Sequence, residues 1–168
     1  MNKPVWHFVM RSAEAMTLKP KSNILEVGSA IVIKKQRGLL VRNFFRGHHY
    51  FGIDKQKGYN VDKVMDATKT PFKKGTFDVI ICCDVLEHVP YPLDIIKEIN
   101  RILKVGGYLC LTVPFMFEIH DHPDDFWRFT PSCMEKVLFK NFRTLTMEML
   151  IDKLRNYSEV LGLAQKVS

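Results

Sequence analysis

The strongest constraint on the fold is the alternation of short apolar runs with segments of helical periodicity. Two runs, FDVIICC at residues 77–83 and YLCLTV at residues 108–113, are almost continuously apolar. Such a run is typical of a central strand in a parallel sheet, because helices cover both of its faces. The alternation therefore predicts an α/β fold with a mostly parallel central sheet and helices on both faces.

Shorter segments complete this prediction. Further strands are expected at residues 23–27, 50–54, 64–66 and 142–150. In PLDIIKEINRILKVGG, at residues 92–107, apolar residues recur at helical spacing, and the closing glycine pair is expected to end the helix. Thr130 and Pro131 form an N-cap and first-turn pair, which predicts another helix. For the tail at residues 153–168 we expect a short closing helix rather than a strand.

The length of 168 residues predicts a single domain with a single site. We expect an N-terminal helix within residues 1–20 and a ligand-binding core over residues 21–131. Residues 132–168 should then supply a helix, a strand and the tail.

Charge and composition restrict the partners and the compartment. The chain has 25 Lys and Arg against 18 Asp and Glu, which gives a net charge of +7. We interpret the basic residues as solvent-exposed helix faces and loops rather than as a phosphate-binding surface, but a nucleic-acid partner stays an alternative. No apolar stretch approaches the roughly 20 residues that span a bilayer, so no membrane association is expected. Cysteines without a CxxC pair indicate a reducing compartment, and we expect a cytoplasmic protein. The basic, amphipathic N-terminus also leaves a mitochondrial presequence open, and the oligomeric state is not predicted.

Polar or small residues follow each predicted strand. In an open parallel sheet the ligand lies beyond the carboxyl ends of the strands, where the strand order reverses. Asp54 follows the second strand 26 residues after Gly28, which suits a carboxylate that accepts ribose hydroxyls. A GxGxxG fingerprint is absent, which disfavours a nicotinamide dehydrogenase.

The ordered segments ILEVGS, GID, DATKTPF, GTFDVIICCDVLEHV and EINRILKVGGYLCLTVP resemble a class I S-adenosylmethionine-dependent methyltransferase. They are similar in particular to the small type 11-like methyltransferase domains. The resemblance covers residues 21–131 and implies the Rossmann-like class I methyltransferase fold. It also implies that the whole chain is one methyltransferase-like domain.

The resemblance implies S-adenosyl-L-methionine as the cofactor and gives it seven contact residues. These are Glu26, Gly28, Ser29, Asp54, Asp66, Ala67 and Asp84. By this similarity Glu26 and Gly28 would line the methionine end of the cofactor, and Asp54 would hold the ribose hydroxyls. Asp66 with Ala67 would touch the adenine edge, and the last residue of the set would lie near the sulfonium or the amino group.

Two histidines are the candidates for catalysis. His120 and His122 follow the fifth strand in EIHDHPDDFWRF, where a base would help if the acceptor is a hydroxyl. In an extended segment the two rings share a face, which would also suit a metal, but no third ligand has convincing spacing and no metal is assigned. The alternative is a polar loop that its three aromatic residues anchor against the sheet.

Two functions of different kinds remain open. The first is methyl transfer to an oxygen or nitrogen of a small-molecule or glycan-like acceptor, with RNA as the second choice of acceptor. The other is a noncatalytic interaction module with a degenerate cofactor loop, because Ala30, Ile31 and Val32 stand where further glycines are frequent in the family.

Overall fold

A computed structural model describes residues 3–31, 40–120, 124–152, 154 and 156–168. The strands are β1 (Asn23–Val27), β2 (His49–Asp54), β3 (Lys63–Val64), β4 (Phe77–Cys83), β5 (Leu103–Met116), β6 (Phe142–Asp152) and β7 (Tyr157–Lys166). The α-helices are α1 (Lys3–Ala15), α2 (Pro92–Ile102) and α3 (Pro131–Cys133), the last continuing as a π-helical turn over Met134–Leu138. Short 3-10 helices cover Val41–Phe45 and Leu86–His88.

All seven strands form one sheet in the order β3-β2-β1-β4-β5-β7-β6. The pairs from β3 to β5 are parallel, whereas β7 runs antiparallel to both of its neighbours. The sheet is therefore mostly parallel with one reversed strand. The predicted α/β fold class is confirmed.

Side chains of the central strands alternate between two apolar layers, one on each face of the sheet. Ile80 and Cys82 of β4 pack with the apolar side of α2, and Val79 and Ile81 pack with α1. This arrangement buries β4 on both sides, which explains why its sequence is apolar at consecutive positions. The Thr130 hydroxyl accepts a hydrogen bond from the Cys133 amide at 3.1 Å, as expected of the N-cap of α3.

Helix α2 ends earlier than the sequence predicts. It stops at Ile102 rather than at the glycine pair, because Leu103 is fully buried and pairs with Phe77 as the first residue of β5. Gly106 adopts a φ of +77° within β5. Its left-handed conformation therefore belongs to an irregular part of the strand and not to the end of a helix.

The helix expected in the tail is wrong, because residues 157–166 form β7. This strand lies between β5 and β6 and is buried on both faces. A run of apolar residues is compatible with such a strand as well as with a buried helix. A Cβ atom at Gly162 would lie 2.6 Å from Met134 Sδ and 2.7 Å from Phe139 Cε2. The turn after α3 therefore packs directly on the β7 backbone.

Two further observations concern cysteines and membranes. All four cysteines are free thiols. Within the described ranges no helix is both long and apolar enough to cross a bilayer.

Candidate active site

A cavity of about 1480 Å³ opens at the carboxyl ends of β1, β2, β4 and β5. It lies between β1 and β4, where the chain connections change direction from one side of the sheet to the other. All seven residues expected to contact a cofactor line it, and so does His120. His122 and Val32 lie outside the described residues.

The turn after β1 needs one glycine. Gly28 has a φ of +75°, and a Cβ atom there would overlap Val85 Cγ2. The amides of Gly28 and Ser29 both donate to the Ile53 carbonyl, at 2.9 and 3.0 Å, which fixes the turn against β2. The Ser29 hydroxyl is buried and has no hydrogen-bond partner among the described residues. A buried hydroxyl without a partner at a cavity wall marks a position where a ligand can bind.

Glu26 lies at the end of β1 and is only 8% exposed. Its Oε2 accepts a hydrogen bond from the Tyr50 hydroxyl and another from Asn60 Nδ2, the latter at 2.8 Å. Burial raises the pKa of Glu26 to about 7, although both hydrogen bonds oppose the rise. The carboxyl is therefore partly protonated near neutral pH, and a nearby positive charge would favour its ionised form.

Asp54 connects two loops at the end of β2. Its Oδ2 accepts from the Ala30 amide at 3.0 Å, and its Oδ1 accepts from the Gln56 amide at 3.1 Å. Each carboxylate oxygen keeps further lone-pair capacity after one such bond. The geometry thus fixes the carboxylate at the cavity wall and leaves it able to accept from a ligand.

Asp66 and Ala67 line the cavity from the turn after β3. Asp66 is exposed, and its Oδ1 accepts from the amide and the hydroxyl of Thr68 at 2.8 and 2.7 Å. This Asx turn holds the backbone at the cavity wall.

Asp84 directly follows β4 in a left-handed conformation, with a φ of +55°. Its Oδ1 accepts from the Thr112 hydroxyl at 2.7 Å, and its amide donates to the Thr112 carbonyl at 3.2 Å. These bonds hold the Asp84 carboxylate against β5. The left-handed backbone of Asp84 is thereby fixed at the cavity wall.

Glu87 is the most deeply buried carboxyl group near Asp84. Only 1% of the residue is exposed, and its Oε2 has no hydrogen-bond partner among the described residues. Burial, followed by the charge of Asp84, raises the pKa of Glu87 to about 8.

The segment after β5 is tied to the 3-10 helix that contains Glu87. The Phe126 amide donates to the Glu87 carbonyl at 2.7 Å, and the Trp127 indole N–H donates to the Val89 carbonyl at 3.0 Å. Phe129 is buried, whereas Phe126 and Trp127 are 46% and 43% exposed. Of the three aromatic residues expected to anchor the loop, Phe129 packs inside and the other two remain at the surface.

Asp125 organises this segment from within. Its carboxylate accepts from Arg128 Nη1 at 2.6 Å and Nη2 at 2.8 Å, and from the His120 amide at 2.8 Å. The Arg128 guanidinium is the main cause of a pKa for Asp125 far below its usual range. Asp125 is therefore ionised at physiological pH, and it holds His120 at the cavity.

Sequence reasoning missed part of this site. The partners of Glu26 are Tyr50 and Asn60, and no spacing signal marks either one. The ion pair of Asp125 with Arg128 has the spacing of three residues seen in helical pairs, but its segment is not helical. Tyr157, from the tail that we expected to be a helix, also lines the cavity.

The lining is strongly acidic although the chain as a whole is basic. Of the described residues that line the cavity, eight are acidic, and Lys55 is the single lysine or arginine. The acidic residues are Glu26, Asp54, Asp66, Asp84, Glu87, Asp94, Asp124 and Glu159. This distribution favours a cationic ligand and does not support nucleic acid at this site.

Solved structures share this architecture. The Burkholderia thailandensis 1,6-didemethyltoxoflavin-N1-methyltransferase, solved with 1,6-didemethyltoxoflavin and S-adenosylhomocysteine, matches with a TM-score of 0.71 at 14% identity. That match covers 99% of this chain and 78% of the enzyme. The YcgJ protein of Bacillus subtilis matches with a TM-score of 0.72 at 13% identity, covering 96% and 99% of the two chains. The protein therefore has the class I methyltransferase fold.

Sequence comparison agrees with this fold. The family described as a methyltransferase domain matches residues 39–111, which are less than half of the chain. A ubiquinone biosynthesis O-methyltransferase of Marinobacter nauticus is 30% identical over 98 residues, which are 48% of this chain and 39% of that protein. The chain spans less than half the length of the curated relatives that it matches.

Proposed function

We propose that this protein transfers a methyl group from S-adenosyl-L-methionine to an oxygen or nitrogen of a small-molecule acceptor. The observation that carries the proposal is the acidic cavity at the switch point between β1 and β4. Its volume of about 1480 Å³ exceeds the roughly 300–1,000 Å³ of a pocket for one drug-sized ligand, so it has room for a cofactor and an acceptor together.

The residues of the cavity fit this cofactor. S-adenosylmethionine carries a sulfonium and an ammonium group, which suit a wall rich in carboxylates. Gly28 allows the backbone to approach closely, and the Ser29 hydroxyl, which has no partner among the described residues, is available to the bound molecule. We assign Glu26 to the methionine end and Asp54 to the ribose hydroxyls.

Two further assignments complete the set proposed from the sequence. Asp66 and Ala67 would lie at the adenine edge, and Asp84 would lie near the sulfonium or the amino group. In this arrangement the carboxylates bind and orient the cofactor, and the buried strand ends exclude water from it. When bound, the cofactor supplies an electrophilic methyl carbon on a positively charged sulfur.

The acceptor would enter between aromatic side chains at the cavity mouth. Tyr91, Phe117 and Phe126 line the cavity and are 74%, 37% and 46% exposed. Aromatic surfaces of this kind favour an acceptor with an apolar or aromatic body, whereas the acidic wall disfavours a polyphosphate or RNA backbone. Transfer to oxygen is supported by the name of the Marinobacter nauticus relative, and transfer to nitrogen by that of the Burkholderia thailandensis enzyme.

His120 is the residue that we propose to act on the acceptor. It lies at the cavity, and Asp125 holds it in place. A direct displacement chiefly requires alignment of the nucleophile, the methyl carbon and the sulfur. With the cofactor bound, the acceptor atom would face the electrophilic methyl carbon, and the acceptor proton would leave to His120 or to solvent.

Calorimetric titration of the folded protein with S-adenosylmethionine and with S-adenosylhomocysteine tests this proposal. We expect one-to-one binding of both, and then transfer of a labelled methyl group to a hydroxylated aromatic compound in an acceptor screen. If a folded sample binds neither molecule, the proposal is wrong, and the noncatalytic interaction module replaces it.

A further inference from the structure

Three side chains with metal-binding atoms converge at the acceptor side of the cavity. One carboxylate oxygen of Glu87 and one ring nitrogen each of His88 and His120 lie within 4.8 Å of one another. Glu87 and His88 follow β4, whereas His120 follows β5, so two neighbouring strand ends bring the cluster together. All three residues line the cavity.

Both imidazole rings are held by a hydrogen bond at Nδ1. His120 Nδ1 lies 3.0 Å from Asp125 Oδ2, an ion-pair distance when the ring is protonated. The hydrogen bonds are to carbonyl oxygens, from His88 Nδ1 to Asp124 at 2.6 Å and from His120 Nδ1 to Glu118 at 3.3 Å. When each Nδ1–H donates to its oxygen, the Nε2 atom of each ring keeps a lone pair. Metal-bound histidines commonly have this second hydrogen bond to a carbonyl or a carboxylate, which fixes the tautomer and the ring orientation.

Glu87 supplies an independent indication of a ligand. The side chain is 2% exposed, and Oε2 has no hydrogen-bond partner among the described residues. Its Oε1 lies 3.8 Å from His88 Nε2, which is too far for a hydrogen bond. A buried carboxylate oxygen without a donor carries a desolvation cost, and a bound cation would remove it.

We propose that Glu87, His88 and His120 bind a divalent first-row transition-metal ion such as Zn²⁺, Fe²⁺ or Mn²⁺. Two imidazole nitrogens and one carboxylate oxygen favour these ions over Ca²⁺ or Mg²⁺, which prefer oxygen ligands alone. Ligands about 2.0–2.2 Å from a shared ion are at most about 4.4 Å apart, so small side-chain rotations bring these three atoms into range. Three protein ligands leave coordination positions open toward the cavity.

The role of this ion in methyl transfer rests on the proposed function. An acceptor hydroxyl bound at an open position becomes more acidic and releases its proton to solvent. The oxygen lone pair then bonds to the methyl carbon while the carbon–sulfur bond breaks with its electrons going to sulfur. The products are the methyl ether, S-adenosylhomocysteine and the proton, and the metal keeps its oxidation state. Of the two destinations proposed above for the acceptor proton, this arrangement selects solvent, because the ion occupies the Nε2 lone pair with which His120 would accept it.

Metal titrations of the tag-free, chelator-treated full chain test the site without the cofactor. Zn²⁺ binding is measured by calorimetry, and Co²⁺ binding by its visible absorption. We expect one ion per chain, with at least about tenfold weaker binding in Glu87→Gln and in His120→Ala. His49→Ala is the matched control, since this exposed histidine begins β2 away from the cavity, and it should bind as the wild type does. Thermal melts verify that each variant is folded, and Glu87→Gln, which preserves side-chain size, decides the result if His120→Ala unfolds.

Absence of one-to-one binding, or equal affinity in Glu87→Gln and the wild type, would overturn the metal site. Cofactor titration of the metal-free protein keeps the two proposals separate. Loss of cofactor binding with intact metal binding contradicts the proposed methyl transfer alone. Transfer activity that a chelator leaves unchanged, together with cofactor binding, would instead assign His120 as the base and overturn the role of the metal.

Discussion

Replacement of Glu26 by glutamine should remove a pH dependence from the stability of the fold. Glu26 is buried at the end of β1, and its Oε2 accepts hydrogen bonds from Tyr50 and Asn60. Burial raises its pKa from 4.5 to about 7 in the folded protein. In the unfolded chain the carboxyl is in water and has its ordinary pKa.

The sign and size of the effect follow from linkage. Because the pKa of Glu26 is higher in the folded state, the folded state binds the proton more tightly than the unfolded state does. Protonation of Glu26 therefore stabilises the fold, and this stabilisation is complete below the unfolded pKa. It is lost as the pH rises from 4.5 through about 7. The difference between these pKa values corresponds to about 3 kcal/mol in the free energy of unfolding. Glutamine is neutral throughout, so the variant should gain about this much relative to the wild type between about pH 4 and about pH 8.

Urea unfolding curves across this pH range measure the effect. Glu98→Gln is the control, because hydrogen bonds from Arg101 lower the pKa of Glu98 to about 2. The stability that its ionised form provides is complete above the unfolded pKa of 4.5 and is lost as the pH falls from there toward about 2, so the profile of this control changes only at the acidic end of the range tested. Parallel pH profiles for the wild type and Glu26→Gln would show that the carboxyl is ionised in the folded protein, which would refute the reasoning.

Three other substitutions test the site and the fold. Gly28→Ala should abolish measurable S-adenosylmethionine binding in calorimetry, because its methyl group meets Val85, whereas Gly47→Ala, at a φ of +89° with open space around it, should keep the affinity. Asp54→Ala should weaken cofactor binding by about 1.5–3 kcal/mol, and an unchanged dissociation constant would contradict the ribose assignment. Gly162→Ala should lower the free energy of unfolding by about 1–3 kcal/mol in urea titrations, since its Cβ would overlap the packed turn after α3; a stability equal to that of the wild type would mean that the turn moves freely.

The central strands could be predicted because their environment dictates their composition. β1 and β4 begin and end at the predicted residues. Burial on both faces requires apolar residues along each strand, and the charged or turn residues that follow mark where the strand ends. β7 could not be predicted in the same way. Its segment VLGLA, at residues 160–164, lacks polar side chains at consecutive positions, and only the space between β5 and β6 decides that it is a strand.

The same contrast holds for the site. The topology of a parallel sheet brings the carboxyl ends of its strands to one edge, so the sequence alone predicts that the residues after these strands lie together. The seven expected cofactor residues all line one cavity. The convergence of Glu87 and His88 with His120 could not be predicted, because His120 follows the other two by 32 or more residues in the chain. It depends on the position of His120 after β5, which the Asp125 carboxylate holds through the His120 amide.

The position of β7 between β5 and β6 has a consequence for the order in which this molecule assembles. β6 precedes β7 in the chain, yet every hydrogen bond that joins β6 to the rest of the sheet passes through β7. During synthesis β6 must therefore wait, with its pairing edge exposed, until residues 157–166 leave the ribosome. Because Tyr157 and Glu159 also line the cavity, its wall is finished in the same late step. A nascent chain that stalls before this point would present two open strand edges and would be prone to aggregate.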